Sequence, residues 1–203
     1  MGRFITLEGG EGVGKSTQAH GLAEALRAQG HDVIVTREPG GTPGAEAIRA
    51  LLMTGDADRW SVRAEALLFA AARADHVENV IRPALVAGRH VICDRFIDSS
   101  RAYQGGAGGV ADADILELHR IGCGGLMPDR TLLLSLPEPD ARERARLRAE
   151  GNADRFGARA DDYHAALQAC FVRLAASEPA RFRIVDASGE AEAVTARLLD
   201  ALA

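Results

Sequence analysis

Lysine is almost absent from this chain. Of its 24 basic residues 23 are arginine, and the single lysine is Lys15. Ammonium is a compact point charge and guanidinium a broad planar fork, so a chain that otherwise uses only arginine keeps Lys15 for its chemistry. An excess of positive charge is missing too: the formal net charge is −5 and the isoelectric point is near 5.7. That balance argues against nucleic acid or an anionic membrane as the main partner. Any positive potential must be local and aimed at something small. The chain is also poor in cysteine. Cys93, Cys123 and Cys170 form an odd set without metal-ligand spacing, and they read as reduced packing residues suited to a reducing cytoplasm. No apolar run approaches the ~18 residues of a membrane span. The chain passes from Met1 into a short apolar stretch without a basic segment or cleavage site. Repeats, low-complexity tracts and linkers are lacking as well. The expectation is a cytoplasmic protein with one domain over residues 1–203.

What the sequence does contain is an alternation of short apolar runs with longer amphipathic segments. The runs Phe4–Glu8, Asp32–Thr36, His90–Asp94, Thr131–Leu136 and Arg183–Asp186 are almost continuously apolar, as strands covered on both faces should be. Helical periodicity covers Lys15–Gln29, Ala45–Met53, Ser61–Ala87 with a break near Val77 to Pro83, Asp112–Gly122, Glu138–Glu150, Asp161–Ser177 and Glu190–Ala203. The glycine runs at 105–109 and 151–157 read as loops inside the domain. Such alternation predicts an α/β fold, a five-stranded parallel sheet with helices on both faces. Ligands of such sheets sit outside the carboxyl ends of the strands, so the residues after each strand are the ones to search.

After the first strand stands Gly9-Gly10-Glu11-Gly12-Val13-Gly14-Lys15-Ser16, the pattern G-x-x-x-x-G-K-[ST]. It has a strand before it and a helix after it, the context that gives the motif meaning. Its backbone N–H groups wrap phosphates, and Thr17 extends the turn at the helix N-terminus. Lys15 reaches the β- and γ-phosphates, and the Ser16 hydroxyl ligates Mg²⁺. The expected architecture is therefore a three-layer P-loop fold with ATP as phosphoryl donor. A GTPase would need an Asn-Lys-x-Asp motif, which a chain with one lysine cannot supply. A small free-standing domain suits a nucleotide or nucleoside kinase.

Three further segments carry a resemblance. They are Arg37-Glu38-Pro39-Gly40-Gly41-Thr42-Pro43, Leu68-Phe69-Ala70-Ala71-Ala72-Arg73, and Asp94-Arg95-Phe96-Ile97-Asp98-Ser99-Ser100-Arg101-Ala102-Tyr103-Gln104-Gly105. With the phosphate loop, and in this order along most of the chain, they resemble the bacterial thymidylate kinase family. The resemblance implies phosphorylation of dTMP to dTDP for dTTP synthesis, a homodimer, and small-molecule partners only, with no nucleic acid or membrane. It assigns dTMP binding to Glu38, Arg49, Phe69, Arg73, Arg95, Ser99, Ser100, Tyr103 and Gln104. Phe69 stacks on thymine, Arg73 meets the base edge, and Tyr103 fills the space of a ribose 2′-hydroxyl. Read as residues alone, Phe69 among leucines and alanines favours a core position, and the resemblance reverses that preference.

Arg95 is placed to clamp the acceptor phosphate bidentately, and Asp94 to hold Mg²⁺ through water. Glu11 orients the sugar or an incoming arginine. Because Gly12 follows Glu11, the loop offers no catalytic arginine. The resemblance places it in a short lid, about residues 142–158, where Arg146, Arg148 and Arg155 are the candidates. The chain departs from the family pattern at Gly157, Gln168 and Phe171. No strong general base is needed, because the acceptor is already an anion; positioning and charge neutralisation carry the reaction. Uridylate, cytidylate or adenylate as acceptor, and a non-catalytic nucleotide sensor, remain the alternatives.

Overall fold

The computed structural model describes residues 2–56, 58–137, 141 and 161–202. Among the described residues five strands form one sheet: β1 (Phe4–Glu8), β2 (Val33–Arg37), β3 (His90–Asp94), β4 (Arg130–Ser135) and β5 (Phe182–Asp186). Every pairing is parallel and the order is β2-β3-β1-β4-β5. The strand expectations hold, with no end displaced by more than one residue. The register sets Leu7 beside Asp94 and Glu8 beside Leu133, so the ends of β1 and β3 share one margin.

Alternation along β1 divides the interior. Ile5 and Leu7 point into a cluster with Leu22 and Leu26 of α1 (Lys15–Ala28) and with Val194 and Leu198 of the last helix, Ala191–Asp200. Phe4 points the other way, into a cluster with Phe96, Ile81 and Ile115. That face is covered by α3 (Val62–His76), α4 (Arg82–Val86) and α6 (Asp112–Cys123). A third cluster joins Leu133 and Phe182 to Leu167, Phe171 and Leu174 of α7 (Asp161–Ser177). The three-layer arrangement is thus the one strand–helix alternation predicts.

Two segments differ from the expectation. The 61–87 pattern is divided, as anticipated near Val77, but by a π-helical turn, Val77–Ile81, that carries the chain from α3 into α4. After β3 the chain forms α5 (Ile97–Ser100) and a second π-helical turn, Arg101–Ala107. Part of the glycine run 105–109 is therefore helical rather than loop. Packing explains this: a Cβ on Gly106 would lie 2.4 Å from Cys170 Cβ, so glycine lets the turn press against α7. π-Turns inside helices accompany functional sites. This one carries Tyr103 and Gln104.

Candidate active site

The phosphate loop leaves β1 at Gly9, whose φ is +135° and whose Cβ, if present, would meet Leu134 O at 2.6 Å. Only glycine fits there. Lys15 opens α1 and is 7% exposed. Its Nζ donates to Gly10 O at 2.6 Å and to Gly9 O at 3.2 Å. Burial, and then the Arg95 guanidinium, lower its pKa to about 7, against the pull of Asp94, Glu8 and Glu11. Ser16 Oγ donates to Asp94 Oδ2 at 2.5 Å, so a hydroxyl and a carboxylate meet beside the loop. They open onto a groove of about 820 Å³ that runs along the edge strand β2, between α1 and the first π-turn.

Arg95 is the one non-glycine residue with positive φ among the described residues, at +68°. Left-handed backbone costs an arginine about 1–3 kcal/mol and persists only when its surroundings enforce it. Here they do. Its N–H donates to Leu7 O at 3.0 Å, and its Nη1 donates to Ser99 Oγ and to Gly9 O, both at 3.2 Å. The guanidinium lies 5.0 Å from the centre of the Tyr103 ring. Burial works against the charge on Arg95, but Tyr103, Asp94, Glu8 and Glu11 outweigh it, and the pKa rises. Burial raises the Tyr103 hydroxyl to about 12, keeping the ring neutral.

Behind Arg95 stands Glu8, which the sequence reading did not single out. It is fully buried at the end of β1. It accepts from Phe96 N at 2.8 Å, Ser99 N at 3.3 Å and Ser99 Oγ at 2.6 Å. Burial, and then the nearby Asp98 charge, raise its pKa to about 8. Glu8 thereby ties the end of β1 to the turn that carries Arg95.

A cavity of about 90 Å³ opens beside this turn. Its lining brings together Glu11, Glu38, Arg49, Phe69, Arg95, Ser99, Ser100, Tyr103 and Gln104, along with Pro39 and Met53. Arg49 is carried there by α2 (Pro43–Met53), and its Nη1 donates to Pro39 O at 2.8 Å. Phe69 packs against the third core cluster and also lines the cavity. Arg73 lies behind the lining, 3% exposed, donating to Glu38 Oε2 at 2.7 Å, Ser100 Oγ at 2.7 Å and Phe96 O at 3.4 Å. His76 bonds the other Glu38 oxygen at 3.1 Å and Thr36 Oγ1 at 2.6 Å. Gln104 Nε2 donates to the buried Glu65 at 2.7 Å.

Glu65 and His76 also escaped the sequence reading, although Glu65, Phe69 and Arg73 share one face of α3 at intervals of four. The lid candidates Arg146, Arg148 and Arg155, with Gly157, lie outside the described residues. Of the other departures from the family pattern, Phe171 is a fully buried core residue.

Comparison with known proteins gives a consistent result. The family profile described as thymidylate kinase matches residues 7–198. A curated thymidylate kinase from Rhizorhabdus wittichii is 62% identical over 202 residues, covering 100% of this chain and 97% of that protein. One from Caulobacter vibrioides is 54% identical, covering 98% and 95%. Among solved structures, thymidylate kinase from Ehrlichia chaffeensis is 30% identical with a TM-score of 0.79, covering 100% and 99% of the two chains.

Proposed function

This chain belongs to the thymidylate kinase family, and on that premise we propose that it transfers the γ-phosphoryl group of ATP to dTMP, giving dTDP and ADP, with the two nucleotides meeting at Gly9. One observation carries the proposal: Lys15 Nζ and Arg95 Nη1 both donate to the same carbonyl oxygen, Gly9 O, each at 3.2 Å. A lysine of the phosphate loop serves the donor, and an arginine that lines the acceptor cavity serves dTMP. Their convergence brings the anionic ends of both substrates to one point.

The donor phosphates lie in the loop Gly9, Gly10, Glu11, Gly12, Val13, Gly14, Lys15, Ser16 and Thr17, against its N–H groups. Lys15 then exchanges its contacts with Gly9 O and Gly10 O for phosphate oxygens. Arg95 and Arg49 hold the acceptor phosphate, Phe69 and Tyr103 flank base and sugar, and Ser100 and Gln104 meet the base. Glu11 faces the same cavity and orients the sugar. Ser16 and Asp94 supply hard oxygen donors suited to Mg²⁺, Asp94 through water. When bound, that ion neutralises charge on the transferring phosphates. Catalysis rests on in-line placement and a preorganised positive field, since the acceptor needs no deprotonation. A lid over about 142–158 contributes Arg146, Arg148 or Arg155 and excludes water from the reaction. No described helix is long and apolar enough to cross a membrane. Cytoplasmic location and a homodimer complete the reading.

The deciding experiment is a panel of acceptors at fixed ATP and Mg²⁺: dTMP, dUMP, UMP, dCMP, CMP and AMP. The expected order places dTMP first in kcat/KM. Preference for UMP, CMP or AMP overturns the proposal, and nucleotide binding without turnover on any acceptor makes the protein a sensor.

A further inference from the structure

Two polar side chains of the cavity lining, Ser100 and Gln104, are each backed by a buried charged residue. Gln104 is 1% exposed, and Glu65 behind it is fully buried. The amide Nε2 donates to Glu65 Oε1 at 2.7 Å. An amide has one donor end and one acceptor end on opposite sides of its carbon. With Nε2 turned to the carboxylate, Oε1 is turned away from it, and Gln104 is one of the residues that line the cavity. Ser100 shows the complementary arrangement. Its Oγ accepts from Arg73 Nη2 at 2.7 Å, so its own proton is directed elsewhere. Arg73 is in turn fixed by Glu38, and Glu38 by His76.

We infer that Glu65 is a positioning residue that sets the polarity of the base pocket, holding Gln104 so that an acceptor faces the substrate and the pocket rejects cytosine. The inference rests on the functional reading above. Thymine offers an N3–H donor between two carbonyl acceptors, which matches one protein acceptor beside one donor. Cytosine offers a bare N3 and an amino group in the same places, so Gln104 Oε1 would face a lone pair and the Ser100 proton an amino group. A buried polar site that cannot pair discriminates far more strongly than a lost methyl contact. Spacing along α3 supports the assignment. Glu65, Phe69 and Arg73 lie at i, i+4 and i+8, so one helical stripe supplies the carboxylate that turns Gln104, the ring lining the cavity and the guanidinium that turns Ser100.

The test is the ratio of kcat/KM for dTMP to that for dCMP. Glu65→Gln preserves volume but lets the Gln104 amide sit either way. The ratio should fall by about 10- to 100-fold, the scale of one buried hydrogen-bond mismatch, with KM for ATP unchanged. The double variant Glu65→Gln with Gln104→Glu again leaves only an acceptor facing the base, and it should restore the ratio. Should a thermal melt show Glu65→Gln poorly folded, Glu65→Asp, whose shorter carboxylate cannot reach Nε2, is read in the same way. A merely structural Glu65 predicts that both substrates weaken in proportion, and an unmoved ratio in folded variants overturns the inference. A wild-type enzyme that does not prefer dTMP over dCMP overturns the functional reading beneath it.

Discussion

At Gly9 a single carbonyl oxygen accepts from two cations, and the chemistry of the residue scale follows from that arrangement. In the proposed reaction, removing Lys15 takes one preorganised charge from the transferring phosphate. Lys15→Ala should lower kcat about 10²- to 10³-fold, the usual effect of one such contact, and a stopped-time assay of dTDP formation checks this; turnover near wild type removes Lys15 from the chemistry. Arg95→Lys keeps a positive charge but loses the fork that holds a phosphate bidentately. It should raise KM for dTMP about tenfold or more while KM for ATP stays within about twofold, a split expected of uniform binding to one substrate. Equal effects on both Michaelis constants would contradict it.

These two residues were legible in the sequence because each stands in a motif directly after a strand. Glu8, Glu65 and His76 were not. Each hydrogen-bonds a side chain far away in sequence, and which side chain it meets depends on the folded neighbourhood. Glu8, for instance, meets Ser99 across a separation of 91 residues.

Helix α6 shows how an element supports the site without entering it. Its buried His119 meets the Phe96 ring edge-on, with centres 5.5 Å apart, and bonds Leu126 O through Nε2 at 2.7 Å. Phe96 follows Arg95, so α6 packs directly against the strained turn. Burial, and then the Arg73 charge, lower the His119 pKa to about 4. The folded protein therefore keeps this imidazole neutral, while the unfolded chain takes up a proton below the usual value near 6.5. Stability from this group is unaffected above that value and is lost as the pH falls towards 4, by about 2–3 kcal/mol at most. Urea unfolding of wild type and His119→Gln at pH 7 and pH 4.5 checks the sign: the variant should lose less stability on acidification. Equal losses would show that His119 does not titrate in this way.

Periodicity made most elements visible, but it could not reveal the π-turns. The break in the 61–87 pattern near Val77 to Pro83 falls where the turn Val77–Ile81 stands, but it gives no sign of the turn's π form. The second turn hides behind Gly105 and Gly106, which read as loop until Cys170 is seen packed against Gly106.

Across the whole molecule, a buried charge network fastens the site to the far side of the sheet. Asp98, fully buried in α5, accepts from Arg181 at 2.6 and 3.0 Å, from Arg101 at 3.3 Å and from Thr131 Oγ1 at 3.2 Å. It thus links the exit of β3 to β4 and to the chain entering β5. Asp98→Ala removes the carboxylate that both arginines share while Asp112 and Glu178 still face them, and should cost about 1.5–3 kcal/mol of unfolding free energy, the worth of hydrogen bonds to a charged group; a loss below about 1 kcal/mol in urea titration would contradict the network's importance.

Five parallel strands and their shared ligand margin were readable from apolar runs and spacing. The strand order β2-β3-β1-β4-β5 was not, because nearly continuous apolar strands carry no label for their neighbours. Donor and acceptor phosphates are proposed to meet between Lys15 and Arg95. A single molecule carrying adenosine and thymidine joined 5′ to 5′ through five phosphates would span both sites, and titration calorimetry reads its affinity. It should bind at least ~100-fold tighter than ATP or dTMP alone, through linkage of two sites, with Lys15→Ala and Arg95→Ala each removing most of the gain. Affinity no better than that of the single nucleotides would mean that the two hollows are not joined.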